Sequence, residues 1–529
     1  MLNSGVTMGL LRSIVWIPLR FILLLLFSPI VTVGYWALVL VVAIPSKIFR
    51  QLVSFVARQH DRDLGNLVTP KGVLAGRDFA DWTTAPSHSI TVVLKLRGKC
   101  DIQTLQKQIL HTWVHKRNKE NAFLEYPELQ QYCTLRLGYL FFKWDRKFDI
   151  ANHVKLYKSE DIHEETVVND EKLHSIWEKV TKRGYNPKTS PWEFILIENY
   201  DPHGKVCSVD KLEQIPDEER SCAWIFRAHH GISDGFSIYQ LLISLTDQGL
   251  PLWEQETACE APKHFNFLMN LQAFVYGPPT FTNNLLNGVD YLHDLHYCNN
   301  RLSGKYSTVT SSSLDVKFVK NASKLHGVSF HAVLLGAISG GIRKYLLKNN
   351  LTIPLQPIRL AMPISQPNHT TKLRNEWLAG MVDLSVEKET AKQRLLTMNE
   401  RLQGLKNGSL MPFLTQAMTF VGGFPVEAAR LLSTKSGTSV MYSEMRGPNI
   451  PLTLFDKRLT LYGLMYSFGL GTDDLGVGFS SVSYNEKITL MLTLDQGIFK
   501  TKEKGQELMK CIVSDIEELQ FGGSAHSQL

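Results

Sequence analysis

Arg227 to Phe236 reads RAHHGISDGF. Two histidines stand side by side, with an aspartate four residues after the second and a glycine next to it. An unperturbed imidazole has a pKa of about 6.5, so near neutrality most of it is free to accept a proton. Such a base can take the proton of an alcohol while its oxygen attacks an acyl carbonyl. Asp234 can accept hydrogen bonds and fix the turn. Gly235 permits backbone angles and close approaches that a side chain would obstruct. No serine nucleophile elbow accompanies the histidines. That favours direct transfer between two bound substrates over a covalent acyl-enzyme. The competing reading of the same residues is a buried histidine satisfied by backbone groups.

Something must hold these side chains. The apolar CAWIF before the motif reads as a strand, and neighbouring histidines on a strand point to opposite faces. SIYQLLISL after it has helical spacing, so Gly235 to Gln248 is expected to be a helix. His88–Gly98 reads as another strand. Asp101–Lys116 reads as a helix opened by an aspartate cap, with Ile102, Leu105, Ile109, Leu110 and Trp113 on one face. In the second half, Ser329–Leu347 reads as a buried helix. Strands are expected at IRLAMPIS, LAGMVDLSV, SVMYSEMRG and VGFSSVSYNEKITLMLTL, and helices at TAKQRLLTMNERLQGL and KEKGQELMKCIVSDIEEL. Gln59 to Thr84, with scattered glycines and a proline, reads as a linker. Between the halves, HFNFLMNLQAFVYG is expected to pack on the core as part of a crossover, in preference to touching a membrane surface.

Composition narrows the classes. The 529 residues are 44% hydrophobic, enough for two or three folded domains, and the net charge of +7 gives no nucleic-acid-binding stripe. The seven cysteines are scattered and form no C-x-x-C, so neither a zinc nor a redox motif is supported, and a reducing compartment is the simplest setting. From Phe21 to Ser46 no residue is charged. As one helix this run would extend roughly 39 Å, more than a hydrocarbon core of about 30 Å. Pro29 and Gly34 interrupt it, so a kinked helix and a hairpin returning to the same side both fit. Arg12 and Arg20 precede the run, and Lys47, Arg50, Arg58 and Arg62 follow it, which favours a cytosolic C-terminal bulk. Glycosylation of the sequons at Asn321, Asn350, Asn368 or Asn407 would require the opposite.

HHGISDG resembles the HHxxxDG motif of the wax ester synthase/diacylglycerol O-acyltransferase family, within the chloramphenicol-acetyltransferase-like superfamily. Further segments resemble that family in the expected order. They are FFKWDRKFDIANHVKL (Phe141–Leu156), NPKTSPWEFILIEN (Asn186–Asn199), YSEMRGPNIPLTLFDKRL (Tyr442–Leu459) and GVGFSSVSYNEKITLMLTLDQ (Gly476–Gln496). Ser190-Pro191-Trp192 stands where the family has Pro-Leu-Trp. Phe330-His331 replaces its Asn-Asp pair. The resemblance covers roughly Arg77 to Leu519. The membrane run is absent from many soluble microbial members and fits an animal-like, membrane-tethered version.

The resemblance implies an α/β fold of two chloramphenicol-acetyltransferase-like halves with an active-site channel between them. The expected layout is an anchor (1–58), a linker (59–76), a first half (77–250), a crossover (251–300), a second half (301–519) and a tail (520–529). It implies an O-acyltransferase with acyl-CoA as co-substrate, no cofactor and no metal. The product would be a neutral lipid ester made on a long-chain alcohol or diacylglycerol beside membrane lipid, at the endoplasmic reticulum. Carried over, His230 is the general base. His229 supports it from the other strand face, Asp234 is structural, Gly235 completes the motif, and Pro191 and Trp192 shape the channel. His153 and His331 are expected to be structural. The alternatives are an acyltransferase for a smaller polar alcohol, faintly echoed by DLGVG at Asp474–Gly478, and an inert membrane-tethered lipid-binding protein.

Overall fold

The computed structural model describes residues 17–520, apart from 77, 79–87, 119, 159–166, 187, 207, 250–266, 288–292, 294, 296–301, 367–368, 434–436 and 471–474. The apolar N-terminal run forms helix α1 (Ile17–Leu38), which passes through a π-helical turn (Val39–Ala43) into α2 (Ile44–His60). The chain keeps right-handed helical angles on both sides of that turn, so it does not double back as a hairpin. Ser28–His60 is long and apolar enough to cross a bilayer, with a mean hydropathy of 1.9. Its character changes along α2. Val53 and Ala57 pack with Leu64, Tyr139 and Phe141, while Ile48, Leu52 and Phe55 stay exposed.

The linker expected over 59–76 is built structure instead: β1 (Leu64–Leu67) and α3 (Pro70–Ala75). Thr69 caps α3 by accepting the Gly72 N–H at 3.2 Å, and Val68, Val73 and Leu74 pack with Cys133, Leu140 and Phe142. Val68, Val73 and Leu74, among glycines and a proline, have no period of their own. They become a core only against distant partners.

Next come β2 (Ser89–Arg97), α4 (Ile102–Ile109), β3 (Gln131–Arg136), β4 (Tyr139–Trp144) and β5 (Val154–Leu156). They are followed by α5 (Asp170–Lys182), β6 (Trp192–Tyr200), α6 (Val209–Glu213), β7 (Ser221–His229) and α7 (Gly235–Ile243). Asp101 caps α4 as its sequence suggests, accepting the Thr104 N–H at 2.8 Å. The helix expected to run on to Lys116 widens at Leu110–Val114 into a π turn. Trp113 is buried in that turn, with Nε1 donating to Ser244 Oγ at 3.1 Å. Helix α7 ends at Ile243, short of Gln248, and Thr246 instead bridges to Leu454.

Helix α8 (Phe267–Asn287) occupies the crossover. The second half holds β8 (Tyr306–Thr310), β9 (Leu314–Asp315), α9 (Val316–His326), α10 (Phe330–Lys348), β10 (Ile358–Ser365) and β11 (Trp377–Leu384). It continues through α11 (Ala391–Asn407), α12 (Leu410–Val421), α13 (Val426–Leu432), β12 (Val440–Arg446), β13 (Thr453–Leu454) and β14 (Leu459–Phe468). β15 (Val477–Tyr484), β16 (Lys487–Asp495) and α14 (Lys502–Gln520) close the described chain.

Three sheets result among the described residues. The first is β13-β14-β2-β7-β6-β5, the second is β11-β10-β12-β15-β16-β8 with β9 also on β16, and the small third is β1-β4-β3. The two larger sheets carry separate apolar cores. The clean division into 77–250 and 301–519 does not hold at strand level. β14 pairs antiparallel with β2, from Phe468 opposite Ile90 to Thr460 opposite Arg97. A strand of the second half therefore covers what would be a bare edge of β2 in the first.

Candidate active site

β7 delivers the two histidines. Its register sets His229 opposite Ser89 of β2, and Ala228 opposite Trp192 of β6. Arg227, fully buried, pins this strand to its surroundings. Its Nε donates to Glu193 Oε2 at 2.8 Å, and its Nη1 and Nη2 donate to the carbonyls of Val180 and Gly184, each at 2.9 Å. Burial pushes the Glu193 carboxyl up, but Arg227, Arg183 and Lys155 outweigh it and bring its pKa to about 2.

The two rings then part. His229 is buried, and its Nδ1 accepts the Gly231 N–H at 3.1 Å. Its proton therefore sits on Nε2, which lies 2.9 Å from Asp78 Oδ1. His88 Nδ1 lies 3.5 Å from the same oxygen. Burial raises the Asp78 pKa, and the two imidazoles more than reverse this, leaving it well below the usual carboxylate range. Both nitrogens of His229 are engaged.

His230 differs. Its backbone is clamped: the N–H donates to His88 O at 2.7 Å, and the carbonyl accepts from Asn375 Nδ2 at 2.8 Å. The residue is partly exposed, and its Nδ1 is buried with no hydrogen-bond partner among the described residues. Burial lowers its pKa, while its own carbonyl and the Asp234 carboxylate work the other way. The ring is thus neutral at pH 7, with a negative charge nearby that favours its protonated form.

Asp234 is a structural centre. Oδ1 caps α7 by accepting the Ser237 N–H at 2.9 Å, and Oδ2 accepts the Glu376 N–H at 2.7 Å and His369 Nε2 at 2.9 Å. Ser237 Oγ donates to Lys372 O at 3.0 Å, and the Asp234 N–H donates to Arg374 O at 3.2 Å. A strap of the second half, His369 to Glu376, thus holds the motif down. Burial raises the Asp234 pKa, but His369 and the backbone N–H groups reverse it and leave it lowered. Burial lowers that of His369, and Asp234 reverses it to leave it raised.

Gly235 has a different basis from the one expected. It is the first residue of α7, outside the positive-φ region, and an added Cβ would meet only Met445 Sδ at 3.7 Å. Backbone strain and protein crowding do not demand a glycine there. Pro191 accepts the His229 N–H at 2.9 Å through its carbonyl. Trp192 is buried, donating from Nε1 to Leu129 O at 2.9 Å, with its ring stacked 4.5 Å from that of His153. Trp192 bears on the site through β6, whereas Pro191 touches β7 directly through its carbonyl. His331 lies 3.1 Å from Glu444 Oε2, and Tyr442 donates to the same oxygen at 2.9 Å.

A groove of about 490 Å³ opens between the two large sheets, lined among others by Lys95, His174, Thr310, Met465 and Lys502. His230 is not in its walls. Lys95 pairs with Ala223 on β7, six residues before His229. That sets the groove roughly 20 Å away along the strand. Among the described residues no three His, Cys, Asp or Glu side chains gather as metal ligands would. The sequence reading missed Asp78, His88, His369, Asn375 and Glu376. None carries a spacing signal, because each reaches the motif through tertiary contact.

Residues 375–520 match the family model of the WS/DGAT C-terminal domain. Solved structures of similar fold include the wax ester synthase/diacylglycerol acyltransferase from Marinobacter aquaeolei VT8, with 15% identity over 87% of this chain and 99% of that one, at a TM-score of 0.56. The trichothecene 15-O-acetyltransferase TRI3 from Fusarium sporotrichioides is 11% identical over 87% of this chain and 95% of that one, at 0.57. SgcC5 from Streptomyces globisporus is 13% identical over 86% and 99%, at 0.51. These likenesses show the fold. The domain match makes residues 375–520 similar to the C-terminal domain of the wax ester synthase/diacylglycerol acyltransferase family, and the structures share a two-half α/β acyltransferase fold with this chain.

Proposed function

We propose that the protein transfers a long-chain acyl group from acyl-CoA to the hydroxyl of a fatty alcohol or diacylglycerol, with His230 as general base. The observation that carries this reading is the contrast between the two rings. His229 has both nitrogens occupied, while His230 is partly exposed and neutral near pH 7, with a buried Nδ1 that has no hydrogen-bond partner among the described residues. In the reaction, the His230 ring takes the acceptor's hydroxyl proton as the oxygen attacks the thioester carbonyl. The carbon–sulfur bond then breaks, and the CoA thiolate leaves with the proton from the imidazolium. Asp234, unable to reach the ring while bound to His369 and two backbone N–H groups, favours the imidazolium through its charge.

The helix at Ser28–His60 favours a lipid acceptor over a small polar alcohol, because it would hold the active site beside a membrane-dissolved substrate. The cations after it favour a cytosolic bulk on the endoplasmic reticulum. The test feeds membranes bearing the protein with labelled acyl-CoA and a panel of acceptors. Labelled wax ester or triacylglycerol is expected. Product confined to short polar alcohols, or none at all, would overturn the reading.

A further inference from the structure

Helix α8 carries two consecutive prolines, Pro278 and Pro279, in its interior. Each lacks a backbone N–H. The carbonyls left without a helical donor are those four residues earlier, Phe274 and Val275. Both have donors from another helix. Trp36 Nε1 donates to Phe274 O at 2.7 Å, and Thr32 Oγ1 donates to Val275 O at 3.0 Å. Both donors belong to α1, and the rings of Trp36 and Phe274 stack at 4.2 Å. On a further side α8 meets α12, so closely at Gly277 that a Cβ would lie 2.5 Å from the Phe413 ring. Leu271, Val275 and Tyr276 of α8 are exposed, as is part of Phe274, and so are Ile30, Val33 and Leu38 of α1.

In water, a carbonyl orphaned by proline is simply hydrated. In hydrocarbon it needs a protein donor, which Ser, Thr and other side chains of neighbouring helices supply. Depth agrees. Trp36 stands eleven residues before Lys47, the first cation after the apolar run. That is about 16 Å of helix, near the middle of a hydrocarbon core of about 30 Å.

We infer that α8 is a second lipid-embedded element, docked on α1 near mid-bilayer depth with its Leu271–Tyr276 face against acyl chains. This rests on the reading of α1 as a membrane-crossing helix and overrides the expectation that the crossover only packs on the core. It also sets the motif close to the bilayer. α12, which holds α8, abuts α3 where Gly422 meets Pro70, and Gly72 of α3 lies against the Gly231 carbonyl, where a Cβ would come within 3.1 Å. A lipid acceptor leaving the bilayer beside α8 is two helices from His230.

The test places the photo-crosslinking residue p-benzoylphenylalanine at Leu271, Tyr276, Val33 or Leu355 of the full-length protein, in membranes containing alkyne-tagged phosphatidylcholine. Lipid adducts are expected at 33, 271 and 276. None is expected at 355, an exposed residue of the second half. Adducts at 33 but not at 271 and 276, or protein adducts at those two, would overturn the inference and leave the anchor intact. No lipid adduct at 33 would remove the anchor reading as well. The double variant Thr32→Val, Trp36→Phe should cut the adduct at 276 severalfold without changing that at 33. An unchanged yield at 276 would show that the two donors do not hold α8 in place.

Discussion

At the scale of single residues, the arrangement separates two histidines that adjacency alone leaves equivalent. His230→Ala should lower ester formation by about 10²–10⁴-fold per mole of folded protein, the usual contribution of a general base, with little change in melting temperature. His229→Ala should act on stability, because it removes the imidazole that lies 2.9 Å from the Asp78 carboxylate. Losing a hydrogen bond to a charged group costs about 1.5–3 kcal/mol, readable in a thermal melt. A greater loss of rate in His229→Ala at an unchanged melting temperature would reverse the assignment. Gly235→Ala tests a different point. The first turn of α7 has room for a methyl, so the fold should hold or gain slightly. Lost activity with unchanged stability would mean that a substrate needs that space. Full activity would mean that the glycine is dispensable.

At the scale of elements, the strap from His369 to Glu376 makes the motif depend on the second half. Its key contact is the Asp234–His369 pair, with Glu376 3.7 Å from the other His369 nitrogen and Lys71 also acting on Asp234 and Glu376. The signs are separable. The raised His369 pKa gives stability that is complete below its unfolded value of about 6.5 and fades as pH rises through the folded one. The lowered Asp234 pKa gives stability present above about 3.9, lost as pH falls through its folded value. The melting-temperature gap between the native protein and His369→Gln should therefore be widest at about pH 4–6.5 and narrow toward alkaline pH. A gap that does not vary with pH would mean that the pair stays uncharged.

At the scale of the whole molecule, β14 ties the halves together. Alone, residues 59–250 would present β2 with a bare edge, the kind of strand that seeks another chain. Expressed by itself, this fragment should aggregate, and co-expression with 301–529 should restore soluble protein. A monomeric, cooperatively melting fragment would show that the inserted strand is not needed. Orientation belongs to the same scale. Protease added to sealed microsomes should digest the bulk if it is cytosolic, whereas glycosylated Asn321 or Asn407 would place it in the lumen.

The sequence by itself determined what depends on local periodicity. The apolar run that became α1, the buried helix α10 and the paired strands β15 and β16 are all legible, because each element's pattern is complete within its own residues. The strand–motif–helix order of the candidate site was legible for the same reason, and the family resemblance added His230 to it. Tertiary structure decided whatever rests on partners far along the chain. Val68, Val73 and Leu74 turned an expected linker into core by meeting β3 and β4. Asp78 reached His229 from about 150 residues upstream, and His369 reached Asp234 from 135 residues downstream. No spacing rule spans such distances. These groups meet because β2, β7 and the strap are brought side by side, and only then do burial and hydrogen bonding decide which imidazole is committed to the fold and which is left for a substrate.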